Sequence, residues 1–162
     1  MSDNPMKTLI LYATKHGAAR EIARRISERF NGAEACDLKQ NAIPDLSGYD
    51  CVIFGSSIYA GMMLKEARIF LSQNAGALQG KRLGLFISGM GTDNEKEVLS
   101  SVFPEGLLNS AKAAGILGGI FDPQKAGVFG RFIMKIASKQ SGYRDTIDDD
   151  KIGEFVKAVR GE

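Results

Sequence analysis

The 162-residue chain has few of the side chains that do chemistry unaided: one histidine, two cysteines and four prolines. A lone histidine and two separated cysteines supply no His/Cys ligand set, so no metal site is expected. Cys36 and Cys51 lie in different apolar runs and read as neighbouring core residues, reduced as in a cytoplasmic protein. No apolar run reaches the roughly 18 residues of a spanning helix. Nothing at the amino terminus has the charged, apolar and small-residue order of a secretory signal. Neither sign of charge dominates: 21 basic residues against 19 acidic give +2, too weak a field to argue for nucleic acid. Two phosphate signatures are missing as well. There is no G-x-x-x-x-G-K-[ST], and no G-x-G-x-x-G follows a strand, which argues against an ATPase and a dinucleotide-dependent dehydrogenase.

What remains is an ordinary globule, 44% hydrophobic and 25% charged, of a length that suits one domain. Residues 1–5 (MSDNP) read as a disordered leader and residues 6–162 as a single domain. Three apolar, β-rich runs stand out at residues 8–13 (TLILYA), 51–54 (CVIF) and 83–87 (LGLFI), with weaker ones at 33–38 (AEACDL) and 116–121 (ILGGIF). The strong runs are continuously apolar rather than alternating, as in parallel strands covered on both faces. Helical periodicity separates them. Between residues 18 and 30, Ala19, Ile22, Ala23, Ile26 and Phe30 share one face, while Glu21, Arg25, Arg24 and Glu28 offer i, i+4 pairs on the other. Further helices are expected at about 64–73, within 95–114 and within 148–160. Parallel strands need right-handed crossovers, so this alternation predicts an α/β fold: a three-layer, doubly wound, five-stranded parallel sheet.

Ligands of such sheets bind outside the carboxyl ends of the strands, which puts weight on three turns. The first, Thr14-Lys15-His16-Gly17-Ala18-Ala19, opens a helix whose N-terminus offers unpaired N–H groups and a positive dipole end; Thr14 serves equally well as a helix cap. The second is Gly55-Ser56-Ser57-Ile58-Tyr59-Ala60-Gly61. The third is Ser88-Gly89-Met90-Gly91-Thr92-Asp93-Asn94. Together they suit a phosphate-bearing flat ring, with Tyr59 available to stack.

As an ordered set these turns resemble those of flavodoxins. YATKHGAAREIA is similar to the family's phosphate loop, with Thr14 at its first hydroxyl and Gly17 at its glycine. GSSIYAG resembles the loop that sets an aromatic residue against the flavin, and SGMGTDN the loop whose backbone meets the isoalloxazine. The resemblance implies a flavodoxin-like strand order 2-1-3-4-5 and FMN as cofactor. Its phosphate would lie at Thr14, Lys15, His16, Gly17, Ala18 and Ala19. Its ring would lie between Ser56, Ser57, Ile58, Tyr59, Ala60 and Gly61 on one side and Ser88, Gly89, Met90, Gly91 and Thr92 on the other. Lys15, His16 and Ala19 replace hydroxyls common in the family, so phosphate binding would lean on main-chain N–H groups. Ala60 stands where many members have a glycine whose peptide turns over on reduction; either Gly61 takes that part or the feature is absent.

The last third, with Gly118-Gly119, Phe129-Gly130-Arg131-Phe132-Ile133-Met134-Lys135 and Ser141-Gly142-Tyr143-Arg144-Asp145, resembles one branch, the proteins similar to menaquinone-dependent protoporphyrinogen dehydrogenase. That likeness implies an FMN oxidoreductase with a redox partner protein or a quinone as acceptor. From Phe129 to Lys139 an apolar stripe runs beside Arg131, Lys135 and Lys139. Such a basic amphipathic segment suits peripheral contact with an anionic membrane, or else it packs on the sheet with its cations solvated. No catalytic acid or base is assigned. Two other readings stay open, a general electron carrier and a binding module of the same fold without FMN. A phosphoryl-accepting receiver lacks its acids here, and a small phosphatase lacks its cysteine and arginine.

Overall fold

The computed structural model describes residues 6–40, 42–90, 93–121 and 144–162. The leader, Gly91, Thr92 and the Phe129 to Lys139 stripe lie outside the described residues. Strand β1 (Thr8–Ala13) is buried along its whole length. It leads into helix α1 (Ala18–Arg29), whose Ala19, Ile22, Ala23 and Ile26 are buried at the spacing the sequence predicts. Then follow β2 (Glu34–Asp37), β3 (Cys51–Tyr59), β4 (Met62–Met63), α2 (Lys65–Gln79), β5 (Arg82–Ser88), α3 (Glu95–Val102), α4 (Glu105–Ser110), β6 (Ala113–Ile116), β7 (Ile120–Phe121), β8 (Arg144–Asp145) and α5 (Asp149–Arg160).

The main sheet is ordered β2-β1-β3-β5-β6, and these five strands pair in parallel. Counted among themselves they give the expected 2-1-3-4-5. Side chains alternate across the sheet into two cores. One holds Leu9, Leu11, Phe54 and Leu85 with Phe70, Leu99 and Leu107 from α2, α3 and α4. The other holds Ile10, Ile53 and Phe86 with Ile22, Ile26, Phe155 and Val159 from α1 and α5. Cys36 and Cys51 are buried and unpaired with each other, but they are not neighbours. Strand β1 lies between theirs, and they belong to opposite cores. Burial pushes the Cys51 thiol up to about 11, away from thiolate chemistry.

Several boundaries differ from the periodicity. The fifth strand is Ala113–Ile116, earlier than the apolar run at 116–121, because Gly118 turns left-handed (φ 99°) and Ile120–Phe121 leaves to pair with β8. The expected helix within 95–114 is two helices. Phe103, ahead of Pro104, is extended (φ −107°, ψ 141°), the conformation a following proline imposes. Helix α2 runs past Asn74, whose side-chain amide donates to the Phe70 carbonyl at 3.0 Å and stays on the helix. Among the described residues no helix is long and apolar enough to cross a membrane.

On α1, the Glu21 carboxylate accepts from Arg24 and Arg25. Arg24, then Arg25, holds its pKa down at about 2 against an ordinary 4.5. A depressed acid adds stability above its unfolded pKa and loses it as pH falls through the folded one. Glu21→Gln is therefore expected to lower stability at pH 7, by no more than about 1 kcal/mol because Arg24 is solvent-screened. The difference should shrink between pH 4.5 and 2, as read by urea unfolding across that range.

Candidate functional site

The five parallel strands of the main sheet deliver their carboxyl ends to the same end of the molecule. At the end of β1, the Thr14 hydroxyl accepts from the Gly17 N–H at 2.9 Å. Gly17 caps α1 in a left-handed conformation (φ 100°) and, being glycine, puts no side chain of its own over the helix end. The Glu21 N–H reaches back to the Gly17 carbonyl, so the N–H groups of Ala18, Ala19 and Arg20 precede the first intrahelical bond. A side chain at Gly17 would meet nothing within 4 Å. The result is an open, positively polarised helix start, the geometry that receives an anion.

Strand β3 does not stop at Phe54, where the sequence suggests a loop, but continues to Tyr59 and pairs with β4. Ser56 is fully buried; its hydroxyl donates to the Ser57 carbonyl and accepts the Leu64 N–H at 3.2 Å. That pair of bonds pins the hairpin, so Ser56 serves the wall rather than its surface. Tyr59 sits opposite Met62 across a two-residue turn in which Ala60 and Gly61 both have positive φ (53° and 77°). Such turns match strand twist, at the cost of a left-handed alanine. Tyr59 is 50% exposed, and the Lys15 ammonium lies 3.4 Å from its ring centroid.

The third turn, after β5, is built against a glycine pair the sequence reading did not place in the site. The Gly89 N–H donates to the Gly118 carbonyl at 3.0 Å. A Cβ on Gly119 would sit 3.2 Å from the Gly89 carbonyl carbon, so main chain packs on main chain. Lys15, His16, Ala18, Ser57, Ile58, Tyr59, Ser88, Gly89 and Met90 line one cleft of about 120 Å³, together with Gly119 and Ile120. Thr14 and Gly17 shape its helix end from behind, and Ala19 is buried in the α1 core. Ala60 and Gly61 form the exposed hairpin tip.

None of these lining residues is an acid. Asp37, a buried carboxylate at the end of β2, is paired with Arg20 at 3.2 Å; the Tyr12 hydroxyl and then Asp37 hold that guanidinium's pKa above its ordinary value. Among the described residues no group of three His, Cys, Asp or Glu is placed to hold a metal ion. The cleft thus offers N–H donors, a cation, hydroxyls and an aromatic face. It can seat an anionic, flat molecule.

The chain is 26% identical over 163 residues to a protein of Helicobacter pylori named flavodoxin, covering 94% of this chain and 95% of that one. It is 27% identical over 148 residues to protoporphyrinogen IX dehydrogenase [quinone] of Escherichia coli, covering 85% and 81%. Among solved structures, a Streptococcus pneumoniae flavodoxin superposes with a TM-score of 0.61 at 15% identity, covering 95% of this chain and 97% of that one, a likeness of fold. The family described as Flavodoxin domain matches residues 9–148, and the chain belongs to that family.

Proposed function

We propose that this chain binds FMN in the cleft and works as a redox protein. The observation that carries the reading is a cleft with no acid among its described lining residues, whose helix end would face an anion and whose opposite wall presents Tyr59. The residues present fit the cofactor. The first-turn N–H groups of α1 and Lys15 would hold the phosphate, while Tyr59 and the Ser88–Gly89–Met90 turn would flank the ring. FMN, when bound, supplies the electron transfer itself. The chain's part is to orient the ring, exclude water and set the local charge. Lys15 must leave the face of Tyr59 for a ring to stack there, and its place beside the helix start lets it move to the phosphate end. Reconstitution of the purified chain with FMN, followed by quenching of flavin fluorescence, tests the reading; no binding at micromolar concentrations overturns it and leaves a binding module of the same fold.

The charge of the cleft bears on the reduction potential. Anions near the ring disfavour an anionic reduced flavin and cations favour it. No acid occurs from Cys51 to Lys65, so a potential less negative than that of an acid-ringed electron carrier is expected. Lys15→Gln should lower the midpoint by about 30 mV, the two-electron equivalent of about 1.4 kcal/mol, in a dye-coupled anaerobic titration. An unchanged or raised midpoint would show that the Lys15 charge does not reach the ring.

A more specific reading is that the chain oxidises a protoporphyrinogen-like substrate and passes electrons to a quinone. The similarity to the Escherichia coli dehydrogenase supports it, and so does the lack of carboxylates among the cleft's described lining residues. The basic stripe from Phe129 to Lys139 would then meet the membrane that holds the quinone. Anaerobic incubation of FMN-loaded protein with protoporphyrinogen and a menaquinone analogue decides between dehydrogenase and general carrier by the presence or absence of turnover. Sedimentation with anionic vesicles at low salt tests the membrane contact, which fails if wild type and an Arg131/Lys135/Lys139 triple alanine both stay in the supernatant.

A further inference from the structure

The ribbon β7–β8 lies outside the main sheet, but the stretch that leads into it is bonded to the end of β5 and to the cleft's third turn. Leu117 donates to Ile87 at 3.0 Å, and Gly89 donates to Gly118 at 3.0 Å. On its other side the same stretch is held by the ribbon's far end, where Thr146 N–H donates to the Gly119 carbonyl at 2.8 Å and Asp148 N–H to the Leu117 carbonyl at 3.2 Å. Residues 117–119 are therefore a short extra rung between the third turn and the segment that leads into α5. A side chain would clash at Gly118 and be tight at Gly119. A Cβ on Gly118 would lie 2.1 Å from the Thr146 carbonyl oxygen, and one on Gly119 would lie 3.2 Å from Gly89.

One side chain closes this stack. The Thr146 hydroxyl accepts the Gly119 N–H at 3.1 Å. Its own hydrogen has two acceptors in reach, the Gly119 carbonyl at 3.2 Å and the Met90 sulfur at 3.8 Å. Gly119 and Met90 both line the cleft, whereas Thr146 is not among its lining residues. The geometry points to Thr146 as a positioning residue: its hydroxyl ties Gly119 and Met90 together and so fixes the wall against which a flat ring rests. It touches no ligand and acts through the two residues that do. A valine of the same shape keeps the packing but removes both the acceptor for the Gly119 N–H and the donor toward Met90.

The inference rests on the cofactor reading for its ligand but not for its geometry, so two measurements on the full chain separate them. The first needs no cofactor: amide hydrogen exchange, followed by NMR in wild type, T146V and T146S. In wild type the Gly89 and Gly119 amides should be protected nearly as well as those of β5. In T146V the Gly119 amide should exchange ~10-fold faster, with the β1 and β3 amides unchanged, and T146S should restore it. The second is FMN titration, in which T146V should raise Kd ~5- to 10-fold and shift the bound flavin's absorption, with T146S near wild type. Unprotected Gly89 and Gly119 amides in wild type overturn the proposal whatever the variants do, including a T146V that fails to fold. So do unchanged exchange in T146V or an unchanged flavin spectrum and Kd. If wild type binds no FMN, the redox reading fails and the exchange data alone decide the tie.

Discussion

Gly118→Ala is expected to cost about 4 kcal/mol of folding stability, among the largest effects of any single substitution in the described residues. Two causes act together. Gly118 has φ 99°, where an alanine is strained whatever the space around it. The added methyl would also stand 2.1 Å from the Thr146 carbonyl oxygen and 2.5 Å from the Ile147 Cα. These are main-chain atoms whose own bonds hold the start of α5, so they cannot rotate aside as a side chain would. Relief requires residues 144–148 to move away from 117–119, which breaks the Thr146–Gly119 and Asp148–Leu117 bonds. Thermal unfolding should drop by roughly 10 °C. If the variant still folds at low temperature, its FMN affinity should fall further than its stability predicts, because the third wall loses its backing. A melting curve within 2–3 °C of wild type, allowing roughly 1 kcal/mol, would mean the segment is not held as described.

Gly55→Ala should cost about 3 kcal/mol, for a different reason. Gly55 and Phe86 are register partners on β3 and β5, and partners in parallel strands point to the same face. The Phe86 ring lies flat across the place where a Gly55 side chain would stand, with three ring carbons 2.2–2.3 Å from the added Cβ. Phe86 is fully buried and meets the Phe155 ring edge-on at 6.4 Å, so its ring has no empty volume to enter. The strain here belongs to one side chain, and it should be relieved by shrinking that side chain. Phe86→Leu in the Gly55→Ala background is expected to cost less than the sum of the two single changes by at least 1 kcal/mol, measured by urea unfolding of the four proteins. Additive costs would show that the ring does not cover Gly55.

The layout of strands and helices was largely readable before any coordinates, because continuous apolar runs and a 3.6-residue rhythm reflect burial directly. Thr8–Ala13 and Ala18–Arg29 are the clearest cases. Boundaries failed where a contact distant in sequence overrode local preference. Residues 116–121 are apolar enough to make one strand, and only a partner more than 20 residues later, at Arg144–Asp145, draws Ile120–Phe121 away from the sheet. At the cleft, the three turns were found by their place after strands and by their small residues. The Gly118–Gly119 wall was not assigned to it, since a glycine pair has no side chain to suggest a role and its use depends on Gly89 and Thr146 meeting it in space. Ser56 was expected beside the ring and proved to be a buried pin, because the strand ran five residues beyond the end of the apolar run at Phe54.

The bare walls of the cleft have a consequence for how such proteins diverge. Where recognition is spoken by amides and by the room that missing methyl groups leave, almost any alphabet of surrounding side chains can say the same thing. Two chains can then share this fold at 15% identity with little in their letters to announce it. A conventional scan truncating side chains to alanine would fall silent at Ala18, Gly89 and Gly119 of this surface, and there the informative experiment is to add atoms.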